Sequence, residues 1–139
     1  MNKNMEGYPD PTAGAAMARI RQELSAAQGY RPLIYICSPF TGDVKENTKK
    51  ARCYSRFAVE KGYIPIAPHL LFPQFMDDKD PVEREMGLHF GRALMGHCQE
   101  IWVFGETISD GMDQEIKKAK RKNYRIKYFT SDLKEAEHE

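Results

Sequence analysis

A chain of 139 residues is the length of one domain, with room for a single sizeable core and too little for two of ordinary size. With 21 Lys and Arg set against 20 Asp and Glu, the formal charge of +1 gives no global basic field for a nucleic-acid polymer or an anionic membrane, so the expected ligand is small or recognised locally. Three widely spaced cysteines, Cys37, Cys53 and Cys98, suit neither a disulfide scaffold nor a paired zinc site, and no apolar run has the length of a signal peptide or membrane span; a soluble cytoplasmic protein is expected.

The first ten residues are polar, hold Gly7 and Pro9, and read as a mobile tail. Ala16, Ile20 and Leu24 then fall four apart, which predicts a helix from Thr12 to Gln28, capped by Thr12, ended by Gly29 and packed outside the main sheet. Leu33 to Cys37 is a compact apolar run of strand formers stopped by Ser38-Pro39, the pattern of a central strand buried on both faces. Asp43-Val44-Lys45-Glu46 has the form of a capping box, and the stripe Val44, Thr48, Ala51, Tyr54, Ala58 carries a helix to Gly62.

Tyr63 to Ala67 predicts a short second strand, and the prolines of Pro68-His69-Leu70-Leu71-Phe72-Pro73 predict an extended, irregular loop over the strand ends. Asp80-Pro81-Val82-Glu83 reads as a second capping box opening a helix to about His97. Glu100 to Phe104 is a third strand; a helix bearing Met112, Ile116 and Ala119 on one face follows Ser109-Asp110-Gly111; Tyr124 to Phe129 is a fourth strand. The chain thus divides into a tail and accessory helix over 1–31, a domain over 32–130 and a charged tail over 131–139 that frays.

Strands alternating with helices predict an α/β fold of three layers, a flavodoxin- or Rossmann-like parallel sheet of four to five strands with helices on both faces. Ligands of such sheets bind outside the carboxyl ends of the strands, where the strand order reverses. The loop Ser38-Pro39-Phe40-Thr41-Gly42-Asp43 offers two hydroxyls, a glycine and a helix start there, which suit a phosphate or sugar; a plain connection capped by Asp43 explains the same residues. At Ser109-Asp110-Gly111-Met112, backbone N–H groups and the positive end of a helix dipole can receive an anion, with the Ser109 hydroxyl as a further donor. Glu115 sits on the first full turn of that helix; spacing alone favours a solvated partner of the dipole over a catalytic carboxylate.

Tyr35-Ile36-Cys37-Ser38-Pro39-Phe40, the Ala67-Pro68-His69 loop, Ile101-Trp102-Val103-Phe104-Gly105 and the Ser-x-Gly-Met-x-x-Glu-Ile segment together resemble the nucleoside 2-deoxyribosyltransferase-like superfamily over about Leu33 to Phe129. Within it, the Ser-Pro-Phe start and the Pro-His-Leu-Leu-Phe-Pro segment look most like small bacterial and phage domains of the DUF4406 and DUF7768 type. The resemblance implies that Glu115 is a nucleophile cleaving the bond between a base and a ribose or deoxyribose, through an oxocarbenium-like transition state and a glycosyl ester. It further implies that a serine at position 109, where nucleoside-specific relatives carry aspartate, binds the phosphate of a nucleoside 5′-monophosphate.

The expectation is therefore an N-glycoside hydrolase or transferase; a nucleotide-binding sensor that has lost its chemistry is the alternative. Favouring the alternative, Arg92 stands near the position where relatives carry a second acid. Asp77, Asp78, Glu83, Glu85 or His69 are the candidate replacements, and Arg92 is a candidate phosphate ligand. For His69, ring nitrogens tied to loop carbonyls are an equal reading.

Phe72, Phe75 and Met76 are expected to close the core rather than stack on a base, and Cys37 is expected to be an inert strand residue. The basic run Lys117-Lys118-Lys120-Arg121-Lys122 reads as a solvated helix face. His69, His89, His97 and His138 have no ligand spacing, so neither metal nor cofactor is expected. A homo-oligomer is implied by the resemblance, with Met86, Phe90, Leu94 and Met95 of the Pro81–His97 helix as the contact.

Overall fold

The computed structural model describes residues 11–136. The chain divides into two compact units, Met1–Arg31 and Pro32–Glu139. In the first, helix α1 (Pro11–Ala27) carries an exposed Arg19–Glu23 pair one turn apart, 3.0 Å long. Its start at Pro11 puts Thr12 inside the helix and not at the cap, since proline is preorganised for a first helical position. The tail expected over the first ten residues lies outside the described residues.

The second unit runs β1 (Leu33–Cys37), α2 (Val44–Glu60), β2 (Ile64–Ile66), α3 (Pro68–Leu71), a 3₁₀ turn (Phe72–Gln74), α4 (Pro81–Met95), β3 (Glu100–Phe104), α5 (Asp110–Arg121), β4 (Arg125–Phe129) and β5 (Glu135–Ala136). The sheet order is β2-β1-β3-β4-β5. Its first four strands are parallel, with Tyr35 opposite Ile66 on one side and Ile101 on the other, and β5 is antiparallel to β4.

Strand alternation explains the three layers. Tyr35, Cys37, Ile101 and Val103 point to one face and bury against Met95 of α4 and Met112, Ile116 and Ala119 of α5. Ile34, Ile36, Trp102 and Phe104 point to the other, against Tyr54 and Ala58 of α2 and Phe129 of β4. There the rings interlock: Tyr54 stacks on Phe104 at 4.3 Å and Phe104 on Phe129 at 5.0 Å. Trp102, 2% exposed, satisfies its indole N–H by donating to Glu100 Oε1 at 3.1 Å. Truncating such a buried ring costs about 3–5 kcal/mol.

Caps set the helix starts. Asp43 accepts from the Glu46 N–H and Asp80 from the Val82 N–H, each at 3.1 Å. Among the described residues neither box closes reciprocally, and in the second Glu83 accepts instead from the Asp77 N–H at 3.3 Å. Past α2, Gly62 takes φ +92, a left-handed conformation open to glycine, and lets the Tyr63 N–H reach the Ala58 carbonyl at 3.0 Å.

Two stretches differ from expectation. Residues 68–74 are helical rather than extended, because Pro68 and Pro73 each fall at the beginning of a turn, where a missing N–H costs nothing. Residues 135 and 136 pair with Phe129 and Tyr128 as β5, so the expected fraying tail is tied down at that point by ladder bonds.

Candidate functional site

Between β1 and β3 the chain order reverses, since β2 lies on one side of β1 and β3 and β4 on the other. The loops leaving the two central strands diverge there and open a crevice at their carboxyl ends. It is a cleft of about 400 Å³, bordered by the loop after β1, by α3 and the 3₁₀ turn, by α4 and by the start of α5. That volume suits a ligand of nucleotide size.

Glu115 lines this cleft from α5. Burial pushes its carboxyl up from an ordinary 4.5 to about 7, opposed by hydrogen bonds from Tyr35 and Cys37 and by the charge of Arg92. The donors are dependable: burial, with the neighbouring Glu115 charge, raises the Tyr35 hydroxyl and the Cys37 thiol well above their usual ranges, so both keep their protons at neutral pH. The single thiol proton is shared with the Met112 carbonyl, which lies 3.9 Å from the sulfur. Although the residue as a whole retains some exposure, its Oε2 is buried and has no hydrogen-bond partner. Near neutrality the group exists both as carboxylate and as acid, matched to nucleophilic or proton-transfer work.

A second orphan lies in the same cleft: Ser38 is 2% exposed, and its Oγ has no partner. Buried polar atoms without partners are uncommon enough to demand an explanation, and a polar ligand supplies one. At the start of α5, Ser109 Oγ accepts from the Met112 N–H at 3.3 Å and its carbonyl accepts from Asp113 N–H at 2.9 Å. Capping uses the hydroxyl oxygen and leaves its proton free to donate into the cleft. Among the described residues the N–H groups of Asp110 and Gly111 have no protein acceptor, so with the dipole they favour an anion.

His69, half-buried, stacks on Phe40 with centroids 4.9 Å apart and planes 20° from parallel. Burial lowers its pKa, against the charge of Asp78 and a hydrogen bond donated to the Ser38 backbone. It is therefore an uncharged ring at neutral pH, suited to accept a proton rather than supply one.

Residues 32–129 match the family described as domain of unknown function DUF7768. The chain belongs to that family. None of the curated proteins matches the sequence. Among solved structures, this DUF7768 domain is similar to a 2-deoxyribosyltransferase from the psychrotolerant bacterium Bacillus psychrosaccharolyticus, with a TM-score of 0.59 and 15% identity over 70% of this chain and 72% of that one. At that identity the likeness is one of fold, and it agrees with the α/β architecture expected from the sequence.

In the DUF7768 domain the cleft gathers Ser38, Phe40 and Thr41, His69, Arg92, and Ser109, Gly111 and Glu115. Pro39 and Gly42 fall outside it: successive loop residues turn to opposite sides, and Pro39 borders a separate hollow beside Tyr54 and Glu106. Met112 is 1% exposed with its side chain in the core, so only its backbone is available. Of the acids considered, Asp78 and Glu83 line the cleft and Asp77 and Glu85 do not. Phe72 and Met76 line the cleft and Phe75 is 66% exposed; none of the three belongs to the core clusters, contrary to expectation. The turn that carries them covers the crevice rather than the sheet.

Sequence reasoning missed Tyr35 as a site residue. Period-two alternation was the available signal, since it places residues 35 and 37 on the face that α5 covers. Among the described residues, no three His, Cys, Asp or Glu side chains gather as metal ligands, and no helix is long and apolar enough to cross a membrane.

Proposed function

We propose that this domain is an N-glycoside hydrolase or transferase that cleaves the base–sugar bond of a nucleoside 5′-monophosphate or a related nucleotide, with Glu115 as nucleophile. The observation that carries the reading is a buried carboxylate with one unpartnered oxygen, held by two neutral donors, in a cleft of nucleotide size. The carboxylate attacks the anomeric carbon as the bond to the base breaks, stabilising the oxocarbenium-like transition state before collapsing to a glycosyl ester. Ser109, the free N–H groups opening α5 and Arg92 hold the phosphate; the rings and apolar groups around Phe72 and Met76 receive the base. Fold likeness to a 2-deoxyribosyltransferase supports the same reaction class.

The test is a screen of nucleosides and nucleotides for release of free base, with Glu115→Gln in parallel. Base released by the wild-type protein and not by the variant is the expected result; no release from any compound, with Glu115→Gln indistinguishable, overturns the proposal.

One observation favours a second reading. Arg92, not an acid, lines the cleft within charge range of Glu115, which leaves protonation of a departing base to Asp78 or Glu83 or to no group at all. On that reading the domain binds nucleotides as a sensor, and calorimetry shows tight binding without turnover. We further infer a homo-oligomer joined through α4, kinship with DUF4406 domains through the Ser-Pro-Phe and Pro-His-Leu-Leu-Phe-Pro segments, and a cytoplasmic location supported by the free thiols of Cys37, Cys53 and Cys98. The functional domain is assigned to residues 32–130.

A further inference from the structure

We propose that His69 is the base that takes a proton from water in the second half of the reaction, the hydrolysis of the glycosyl ester. The inference rests on Glu115 forming the glycosyl ester described above.

Position comes first. The Cys37 thiol contacts the Glu115 carboxylate, Ser38 follows Cys37, and the Ser38 backbone accepts the His69 ring N–H. Carboxylate and imidazole are thereby joined through two consecutive residues at the carboxyl end of β1, and both line one cleft. Orientation comes next. The hydrogen bond to Ser38 and the parallel stack on Phe40 fix the ring, and in a neutral imidazole the nitrogen opposite the donating one carries a lone pair. That second nitrogen is not among the sealed, unpartnered atoms, and within the described residues no hydrogen bond occupies it. Since it is not sealed and His69 lines the cleft, it is an acceptor that water can reach.

The competing groups are less suited. Glu83 accepts the Asp77 N–H, and Asp78 is exposed on the rim, where its charge helps the imidazolium that proton transfer creates. In the first half, the C1′–O bond to Glu115 forms as the C1′–N bond breaks, and the electron pair leaves with the base. In the second, water oxygen bonds to C1′ and the ester bond breaks, its electron pair returning to Glu115. The proton shed by water goes to His69 and then to solvent, so nothing is oxidised or reduced.

The experiment compares wild type, His69→Gln and His69→Asn on the nucleoside 5′-monophosphate that the wild-type protein cleaves fastest, following free base by rapid quench and the protein by intact mass. Glutamine and asparagine retain an N–H for the Ser38 carbonyl but supply no base. Each variant is expected to release about one base per site in a burst and then slow by about 100-fold or more. A covalent pentosyl-phosphate adduct should accumulate, and azide, which reacts without losing a proton, should restore turnover. Variants turning over at the wild-type rate without adduct overturn the inference, and so does loss of the burst itself, which would place His69 before the ester. Absence of base release by the wild-type protein fells the glycosidase reading and this one with it, a result distinguishable from either of those.

Discussion

The Tyr35 hydroxyl on β1 lies beside the Glu115 carboxylate on α5 and, as a hydrogen-bond donor to it, holds its pKa down against burial. Gly91 of α4 makes room for this contact, since a Cβ there would lie 3.3 Å from the hydroxyl oxygen. The bond favours the ionised carboxyl, so removing it lets burial raise the carboxyl further. A hydrogen bond to a charged group contributes about 1.5–3 kcal/mol, which corresponds to about one to two pH units. Tyr35→Phe is accordingly expected to move the acidic limb of the pH–rate profile upward by about one unit or more and to slow base release at pH 7 by about tenfold. A profile superimposable on wild type would separate Tyr35 from the ionisation of Glu115.

Glu115 also ties stability to pH. Its folded-state pKa of about 7 lies above the ordinary 4.5, so between those values the folded chain holds a proton that the unfolded chain has lost. Stability from this group is complete below about 4.5, declines as pH rises to about 7 and stays lost above it, in total on the order of 3 kcal/mol. Glu115→Gln removes the titration. Urea unfolding at pH 5 and pH 8 should show the variant gaining on wild type at the higher pH, even as its base release is abolished. Equal pH slopes for the two proteins would mean that the carboxyl is not held in its uncharged form.

These couplings mark what the sequence reveals. β1 is legible to the residue, because five apolar residues between Pro32 and Ser38-Pro39 admit little else, and Asp43, Asp80 and Ser109 announce their helices by capping chemistry. Glu115 is visible only as a carboxylate near a helix start; its burial depends on Tyr35 and Cys37, distant in sequence and brought to it where α5 packs over β1. The helical turns at 68–74 were obscured because proline breaks a helix interior and begins a helix equally well, and local sequence does not say which applies. Pro39 and Gly42 lie off the cleft for a related reason: a loop can be located from sequence before its residues can be given sides.

The outer face of α4 makes an oligomeric interface testable. Val82 is 68% exposed and Met86 44%, and with Pro81 and Phe90 they line an almost wholly apolar groove continuous with the exposed Phe75 through the Phe72–Phe90 and Phe72–Phe75 ring contacts. Met95, expected from the sequence to share this surface, is fully buried in the core and takes no part. Light scattering is expected to report a dimer or larger assembly, and Met86→Glu a monomer with an unchanged circular dichroism spectrum. A wild-type monomer at all accessible concentrations would remove the interface.

Ser109 performs two tasks that one pair of substitutions can separate. Its Oγ caps α5 by accepting the Met112 N–H at 3.3 Å, and in the proposed complex its proton is donated to phosphate. Ser109→Ala loses both and should cost about 1 kcal/mol of stability. Ser109→Asp keeps the cap, because aspartate is as good an N-cap as serine and its charge complements the helix dipole. It nevertheless sets a carboxylate against a phosphate dianion, a repulsion expected to weaken binding of a nucleoside 5′-monophosphate by about 10- to 100-fold, or about 1.4–2.8 kcal/mol. The parent nucleoside, lacking that phosphate, should bind Ser109→Asp as well as it binds wild type. Calorimetric titration of both ligands against both variants resolves the matter: equal losses for nucleoside and monophosphate would mean that the phosphate lies elsewhere in the cleft.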